Sequence, residues 1–180
     1  MKSAFLRRKP MELLEAVKKR YSCRAYQNRP VEAEKLDKIL DTARLAPSAC
    51  NFQDWRFVVV ADKQTRAELS VAAANQAFVA QAPVVIVCCS TINHWMRCGQ
   101  PTGSIDVAIA IEHIALAAAS LGLATCWIGS FYPDEVRKIL QIPTHIHVIE
   151  LLALGWPADK QPEMKRLPLE AIACREKWTF

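Results

Sequence analysis

Apolar residues recur at helical spacing through the first quarter of the chain and then gather into short blocks separated by turn residues, so two helices should precede a run of alternating strands and helices. Met11 to Arg20 is the first expected helix. Leu13, Leu14 and Val17 form its apolar face, Glu12 and Glu15 lie early, and Lys18, Lys19 and Arg20 lie late, an order that complements the helix dipole. Pro30 breaks the chain, and Ala33 to Leu45 forms a second helix with Leu36, Ile39, Leu40 and Ala43 inward until Pro47 stops it.

Arg56 to Ala61 is β-branched and aromatic-edged, the composition of a strand. Gln64 to Val79 predicts a helix, ended by Pro83 before Val84 to Cys89, a strand apolar throughout and therefore covered on both faces. Thr91 to Gly103 reads as a loop, because Asn93, Gly99, Pro101 and Gly103 break any period. Ile105 to Leu121 is a helix apolar nearly all round, which belongs in a core or at a subunit interface. Gly122 caps it; a strand at Ala124 to Ile128, a small helix at Pro133 to Leu140 and a strand at His147 to Leu154 follow. From Trp156 onward three prolines and many charges predict an extended arm lying over a surface. This order is that of an α+β or mixed α/β layer structure, and with no internal repeat or linker, residues 1–180 read as one domain.

Composition narrows the picture. The chain has 180 residues, 52% of them hydrophobic and 23% charged, enough for a substantial core with apolar surface left for a subunit interface. The net charge of +5 is scattered, which suits an anionic cofactor or substrate and argues against nucleic acid. Ile105 to Leu123 comes nearest to a membrane span, but Asp106, Glu112 and His113 interrupt it. Met1 to Pro10 has no apolar core of signal-peptide length, so the expected location is the cytoplasm. Seven cysteines without regular spacing and without a C-x-x-C pair point, for most of them, to small buried side chains rather than to a disulfide framework or a metal site.

Two segments carry candidate chemistry. In an extended stretch Arg20, Ser22 and Arg24 project to one face, and two guanidinium forks with a hydroxyl beside a helix end make a plausible phosphate clasp. Taken alone, the same residues also describe a solvated basic turn. In Ala46 to Phe57, Pro47 ends a helix while Ser48, Asn51 and Gln53 offer polar groups beside apolar cover, the mixture a flavin ring needs. An ordinary helix-to-strand turn would contain the same residues.

The two segments together resemble the signature of the nitroreductase family. The Arg-x-Ser-x-Arg element and the Ala-Pro-Ser-x-x-Asn-x-Gln-x-Trp-Arg-Phe element are joined in order by Ala82–Val87, Gly122–Gly129, Leu154–Pro157 and Lys165–Leu169, so the likeness runs from Leu13 to Trp178. The resemblance implies an α+β fold with a central mixed or antiparallel sheet flanked by helices, in an intertwined homodimer with a C-terminal arm. It implies that Arg20, Tyr21, Ser22 and Arg24 hold the phosphate and ribityl chain of flavin mononucleotide (FMN), and that Pro47, Ser48 and Asn51 of the partner subunit border the ring. Trp127, Ile128 and Gly129 would lie at the ring's reactive edge, Lys165 and Arg166 would complete the phosphate site, and Asn75 or Gln76 would touch the pyrimidine edge. One departure is Asp54, where the family usually has proline; its charge and freedom are expected to loosen the turn and shift Trp55.

The resemblance further implies NADH or NADPH as donor and a ping-pong passage of hydride through flavin N5 to a small oxidised acceptor, such as a nitroaromatic or quinone. No side chain need act as nucleophile or general base, and His94, His113, His145 and His147 read as structural. Trp95 and Arg97 are the expected substrate-side residues, Trp95 by stacking and Arg97 by meeting an anion; core cover and solvation are the alternatives. Other FMN chemistry on the same fold (enone reduction, dehalogenation, flavin fragmentation), a flavin-binding redox sensor or store, and a cofactor-free structural dimer remain open at this point.

Overall fold

A computed structural model describes residues 11–92 and 94–180; the segment Met1 to Pro10 and Asn93, both read above, lie outside the described residues. Helices α1 (Leu13–Lys19) and α2 (Ala33–Arg44) precede β1 (Trp55–Val60), α3 (Lys63–Ala72), α4 (Ala77–Gln81) and β2 (Val84–Ser90). Then come α5 (Thr102–Ser120), β3 (Ala124–Ile128), α6 (Pro133–Leu140) and β4 (His147–Gly155). The strands form one sheet in the order β1-β2-β4-β3, with every neighbouring pair antiparallel. Parallel pairing among the described residues is confined to a bridge from Ser22 to Thr125, which lays the Arg20–Arg24 segment along the outer edge of β3.

The uniform hydrophobicity of β2 has the expected consequence: all seven of its residues are buried. Val85, Val87 and Cys89 pack with Leu69, Val79 and Val136 on one face of the sheet, and Val84, Ile86 and Cys88 pack with Ile39, Ile111 and Ile114 on the other. Each fully buried Ile or Leu contributes about 1.5–3 kcal/mol over an exposed one, so the two layers account for most of the driving force. Helix α5 is long and apolar enough to cross a membrane by length and composition, yet it is the central helix of the second layer, touching α1, α2 and all four strands. Thr102 starts it three residues before the expected boundary, because its N–H and hydroxyl both donate to the His94 carbonyl.

Two expectations are corrected. The helix expected from Gln64 to Val79 is broken into α3 and α4 at Ala73–Gln76, where Ala74 and Asn75 take left-handed backbone (φ 54° and 60°). There the freed Ala72 carbonyl accepts the Tyr132 N–H, a long-range bond that periodicity does not register. Helix α1 buries Ala16 and turns Leu13, Leu14 and Val17 outward, at 66%, 70% and 47% exposure. Its small side chain lets the helix lie close on α5, and its apolar face is left to another surface.

The C-terminal arm is pinned at its root. Gln27 N–H donates to the Trp156 carbonyl, Ala158 N–H to that of Ala25, and the Gln161 amide to that of Lys18. Beyond Gln161 the arm is almost wholly exposed and carries one short 3₁₀ turn at Leu169–Ala171.

Candidate functional site

The strand-like period of Arg20–Arg24 holds. Tyr21 and Cys23 are buried, Ser22 and Arg24 are exposed, and Arg20 is half-buried. The Cys23 N–H donates to the Thr125 carbonyl at 3.0 Å, so β3 fixes the segment's direction. Arg20 Nε stands 3.7 Å from Glu112 Oε1 on α5. Burial pushes the Glu112 carboxyl above its ordinary range, and the Arg20 charge pulls it back. Neither the Arg24 guanidinium nor the Ser22 hydroxyl has a hydrogen-bond partner among the described residues; Arg24 lies 6.0 Å from the centre of the Phe78 ring. Free donors on one exposed face are what a phosphate monoester requires. Tyr21 is placed otherwise: its hydroxyl donates to Asp159 Oδ1 at 2.7 Å, so its side chain ties down the arm and only its backbone lies on the exposed face. Burial pushes the Cys23 thiol up to about 11, which keeps it neutral and unreactive.

The end of β3 lies next to this face. Trp127 and Ile128 are its last residues, and Gly129 follows. Gln76 is drawn to the same place, its amide donating to the Ala73 carbonyl at 2.9 Å and the Ser130 carbonyl at 3.1 Å. A residue unmarked in the sequence reading joins them: the carboxyl of Glu150 on β4 lies against Gly129, and a methyl added there would come within 3.5 Å of Oε1. That oxygen is buried without a donor among the described residues. Burial raises the Glu150 carboxyl, opposed by the Ile128 and Leu151 amides. No motif marks it; only the β3–β4 register does.

Pro47, Ser48 and Asn51 sit elsewhere. They precede β1, at the far edge of the sheet from β3, three strand spacings or about 14 Å away. Within one chain the expected phosphate face and the expected ring-flanking turn are therefore separated by the width of the sheet. The turn is unusual: Cys50, Asn51 and Gln53 all have left-handed backbone, at φ 48°, 58° and 50°. Ser48 Oγ accepts the Gln53 N–H at 2.9 Å, and the Ala49 N–H donates to both oxygens of Asp106 on α5 at 3.0 and 3.1 Å. Asp54 does not loosen it. Asp54 is 2% exposed, accepts from the Ser90 hydroxyl, and leaves Trp55 buried at the start of β1.

The loop bearing Trp95 and Arg97 belongs to this second half. Thr91 N–H donates to the Asp54 carbonyl at 3.0 Å, and the His94 ring stacks on Phe52 at 5.7 Å. Trp95 is 66% exposed and bridges Pro101; Arg97 is exposed. Lys165 and Arg166 lie out on the arm, where Arg166 donates to the Lys165 carbonyl and the Met164 sulfur rather than joining Arg20 and Arg24. The geometry thus gives two half-sites: a cationic face with a backbone-rich strand end, and a strained polar turn with an aromatic loop.

Comparison with known proteins shows the family and the fold. A model of the Nitroreductase family matches residues 17–77 and 70–156. An FMN reductase (NAD(P)H) of Bacillus subtilis is 30% identical over 185 residues, covering 93% of this chain and 74% of that protein. An NADH dehydrogenase of Thermus thermophilus is 33% identical, covering 87% and 92%. The crystal structure of a nitroreductase family protein from Clostridium difficile superposes with a TM-score of 0.84 at 36% identity, covering 93% of this chain and 100% of that one.

Proposed function

The chain belongs to the nitroreductase family, and from that premise we propose that it is an FMN-dependent, NAD(P)H-linked oxidoreductase, a single domain over residues 1–180 that works as a homodimer. One observation carries the reading: the two half-sites flank opposite edges of one sheet, so a second copy is needed to bring a Ser48–Asn51 turn to an Arg20–Arg24 face. The exposed apolar residues of α1 and of the arm, Leu13, Leu14, Leu167, Leu169, Ile172 and Trp178, supply the surface such an assembly buries.

The donor set fits FMN. Arg24 and Ser22, with free hydrogen-bonding groups, and Arg20 hold the phosphate and ribityl chain, Tyr21 contributing backbone only. Backbone amides following Trp127 and Ile128, at Gly129, meet the ring's polar edge, with Gln76 beside them. The partner's turn, through Pro47, Ser48 and Asn51, closes the ring, and Lys165 and Arg166 reach the phosphate from the arm once it wraps the second subunit. When bound, FMN would supply two-electron redox chemistry between NADH or NADPH and a small oxidised acceptor. The protein's own work is to bind and orient: the cationic face and the strand-end amides would hold the cofactor and stabilise negative charge on it, while Trp95 and Arg97 would shape the acceptor's approach. The seven unpaired cysteines suit a cytoplasmic setting.

The test is the visible absorption of the purified protein and its anaerobic response to each nicotinamide donor. A flavin spectrum that bleaches with NADH or NADPH and returns on adding a quinone or nitroaromatic supports the proposal. A protein that stays colourless after FMN is added refutes it.

A further inference from the structure

The Glu150 carboxyl has no part in the binding described so far. It lies in β4, between β2 and β3, where the sheet slips by one residue: Cys88 pairs with Glu150 but Cys89 with Val148, leaving Ile149 over. Val148 and Leu151 pack in one layer, Ile149 and Leu152 in the other, so the slip breaks the strand's alternation at Glu150. The carboxyl lies against the end of β3, where a methyl added at Gly129 would stand 3.5 Å from Oε1 and 3.7 Å from Oε2. Glu150 is half-buried as a residue, yet Oε1 is shut from solvent and meets no donor among the described residues. None of the ion pairs among those residues includes it. A buried oxygen left without a donor costs stability, and such a group in a folded protein calls for a use elsewhere.

We propose that Glu150 is a positioning residue that takes up one proton from solvent when the bound flavin gains two electrons, and so sets how the flavin's reduction potential varies with pH. The inference rests on the function proposed above, in which the Gly129 amide meets the ring's polar edge. Electrons and one proton reach the ring as hydride from the nicotinamide donor. At Glu150 one O–H bond forms, its proton drawn from water, and no other bond changes. The reason is electrostatic: charge gained at the ring would face, across Gly129, a carboxylate with no cation beside it, and protonating that carboxylate removes the repulsion. Charged groups on the elements packed against β4 are engaged elsewhere. On α6, Arg137 stands 3.3 Å from Asp134 and Lys138 2.8 Å from Glu135. On α5, Glu112 faces Arg20, Asp106 accepts the Ala49 N–H, and the His113 ring meets the Thr42 carbonyl. Strands β2 and β3 bring the Cys88 and Cys126 thiols, both pushed up chiefly by burial, with the Glu150 charge adding to the rise and Arg24 opposing it at Cys126. His147 lies three residues away along β4 itself.

Burial already raises the Glu150 carboxyl, with the Ile128 and Leu151 amides opposing. The stability its neutral form lends is complete below the ordinary glutamate value and lost as pH rises through the folded one; charge on the ring would move the folded value further up. The experiment compares wild type with Glu150→Gln and with Glu150→Asp, which keeps the charge on a shorter stem. On FMN-free protein, infrared difference spectra recorded against pH follow the protonated-carboxyl band. Wild type is expected to keep a band above the ordinary glutamate range that Glu150→Gln lacks. On FMN-loaded protein, the reduction potential is measured against pH, with oxidised-minus-reduced infrared spectra at each point. Between the folded values of Glu150 before and after reduction, wild type should take up one proton more per two electrons than Glu150→Gln, and its carboxyl band should grow on reduction. Above that range Glu150→Gln should have the higher potential; below it the two should agree. Glu150→Asp should follow wild type with the range displaced. A purely structural role would change stability and leave the proton count equal, and the band on reduction is read in wild type even where a variant does not fold. Equal proton counts in wild type and Glu150→Gln with FMN bound, or a wild type without the band, overturn the proposal. A wild type that binds no FMN refutes the function itself, and this inference with it.

Discussion

Replacing Arg24 by alanine separates a phosphate clasp from a solvated basic turn. Arg24 is exposed, has no ion pair or hydrogen bond among the described residues, and stands 6.0 Å from the Phe78 ring centre, the outer limit of a cation–π contact. Its removal should therefore change folding stability by no more than about 0.5 kcal/mol, the ordinary range for an exposed site. A charge-assisted bond to an FMN phosphate is worth about 1.5–3 kcal/mol, so Kd should rise by about 10- to 150-fold. Arg24→Lys should fall between, since lysine keeps the charge and loses the fork. Arg20 is the poorer probe: its loss leaves Glu112 half-buried without its cation, so binding and stability would change together. The assay is titration of FMN-free protein with FMN by fluorescence quenching, paired with thermal unfolding and repeated at higher ionic strength, where wild type should weaken more than the variant. An Arg24→Ala protein that binds FMN as wild type does, or that loses affinity only in step with its stability, would refute the reasoning.

Three further outcomes are expected. Tyr21→Phe removes the 2.7 Å bond to Asp159 and should cost about 1–2 kcal/mol in urea unfolding, with faster proteolytic clipping of the arm; an unchanged cleavage rate would mean that the arm is held by other contacts. Gly155→Ala would push a methyl into Pro83 and to within 2.9 Å of Tyr26 Cδ1, and should destabilise the fold by about 1–3 kcal/mol; a neutral result would mean that the β4 end shifts freely. Glu150→Gln should raise the unfolding temperature near neutral pH and lose that gain in acid. The Glu150 carboxyl is raised by burial, so the burden of its charge is absent below the ordinary glutamate value and grows as pH rises through its folded value; a gain that persisted at low pH would contradict this.

Much of this was legible beforehand because it is local. The unbroken apolar run of β2 announced burial on both faces, and the all-round apolar surface of α5 announced a buried helix without saying whether core or interface covers it. The alternation of Arg20, Ser22 and Arg24 against Tyr21 and Cys23 is a period-two signal that any extended backbone obeys. The break between α3 and α4 was not legible, because a lone Asn75 in an alanine-rich run is a weak turn signal, and the bond that stabilises the break reaches Tyr132.

The sequence by itself therefore determined the elements, their order, the core strand and the two polar segments with their side-chain types. Tertiary structure alone decided which face α1 buries, that the two segments lie at opposite edges of the sheet, that Glu150 stands against Gly129, and that Asp54 is buried against Ser90. The physical reason is the range of the information. Periodicity and turn chemistry act over one or two turns of backbone, whereas a strand register or a helix docking brings together groups that no local pattern relates. Asp54 shows the difference: by its neighbours it is a charge that unsettles a turn, and by its place against Ser90 and Thr91 it is a buried acceptor that ties the turn to the end of β2.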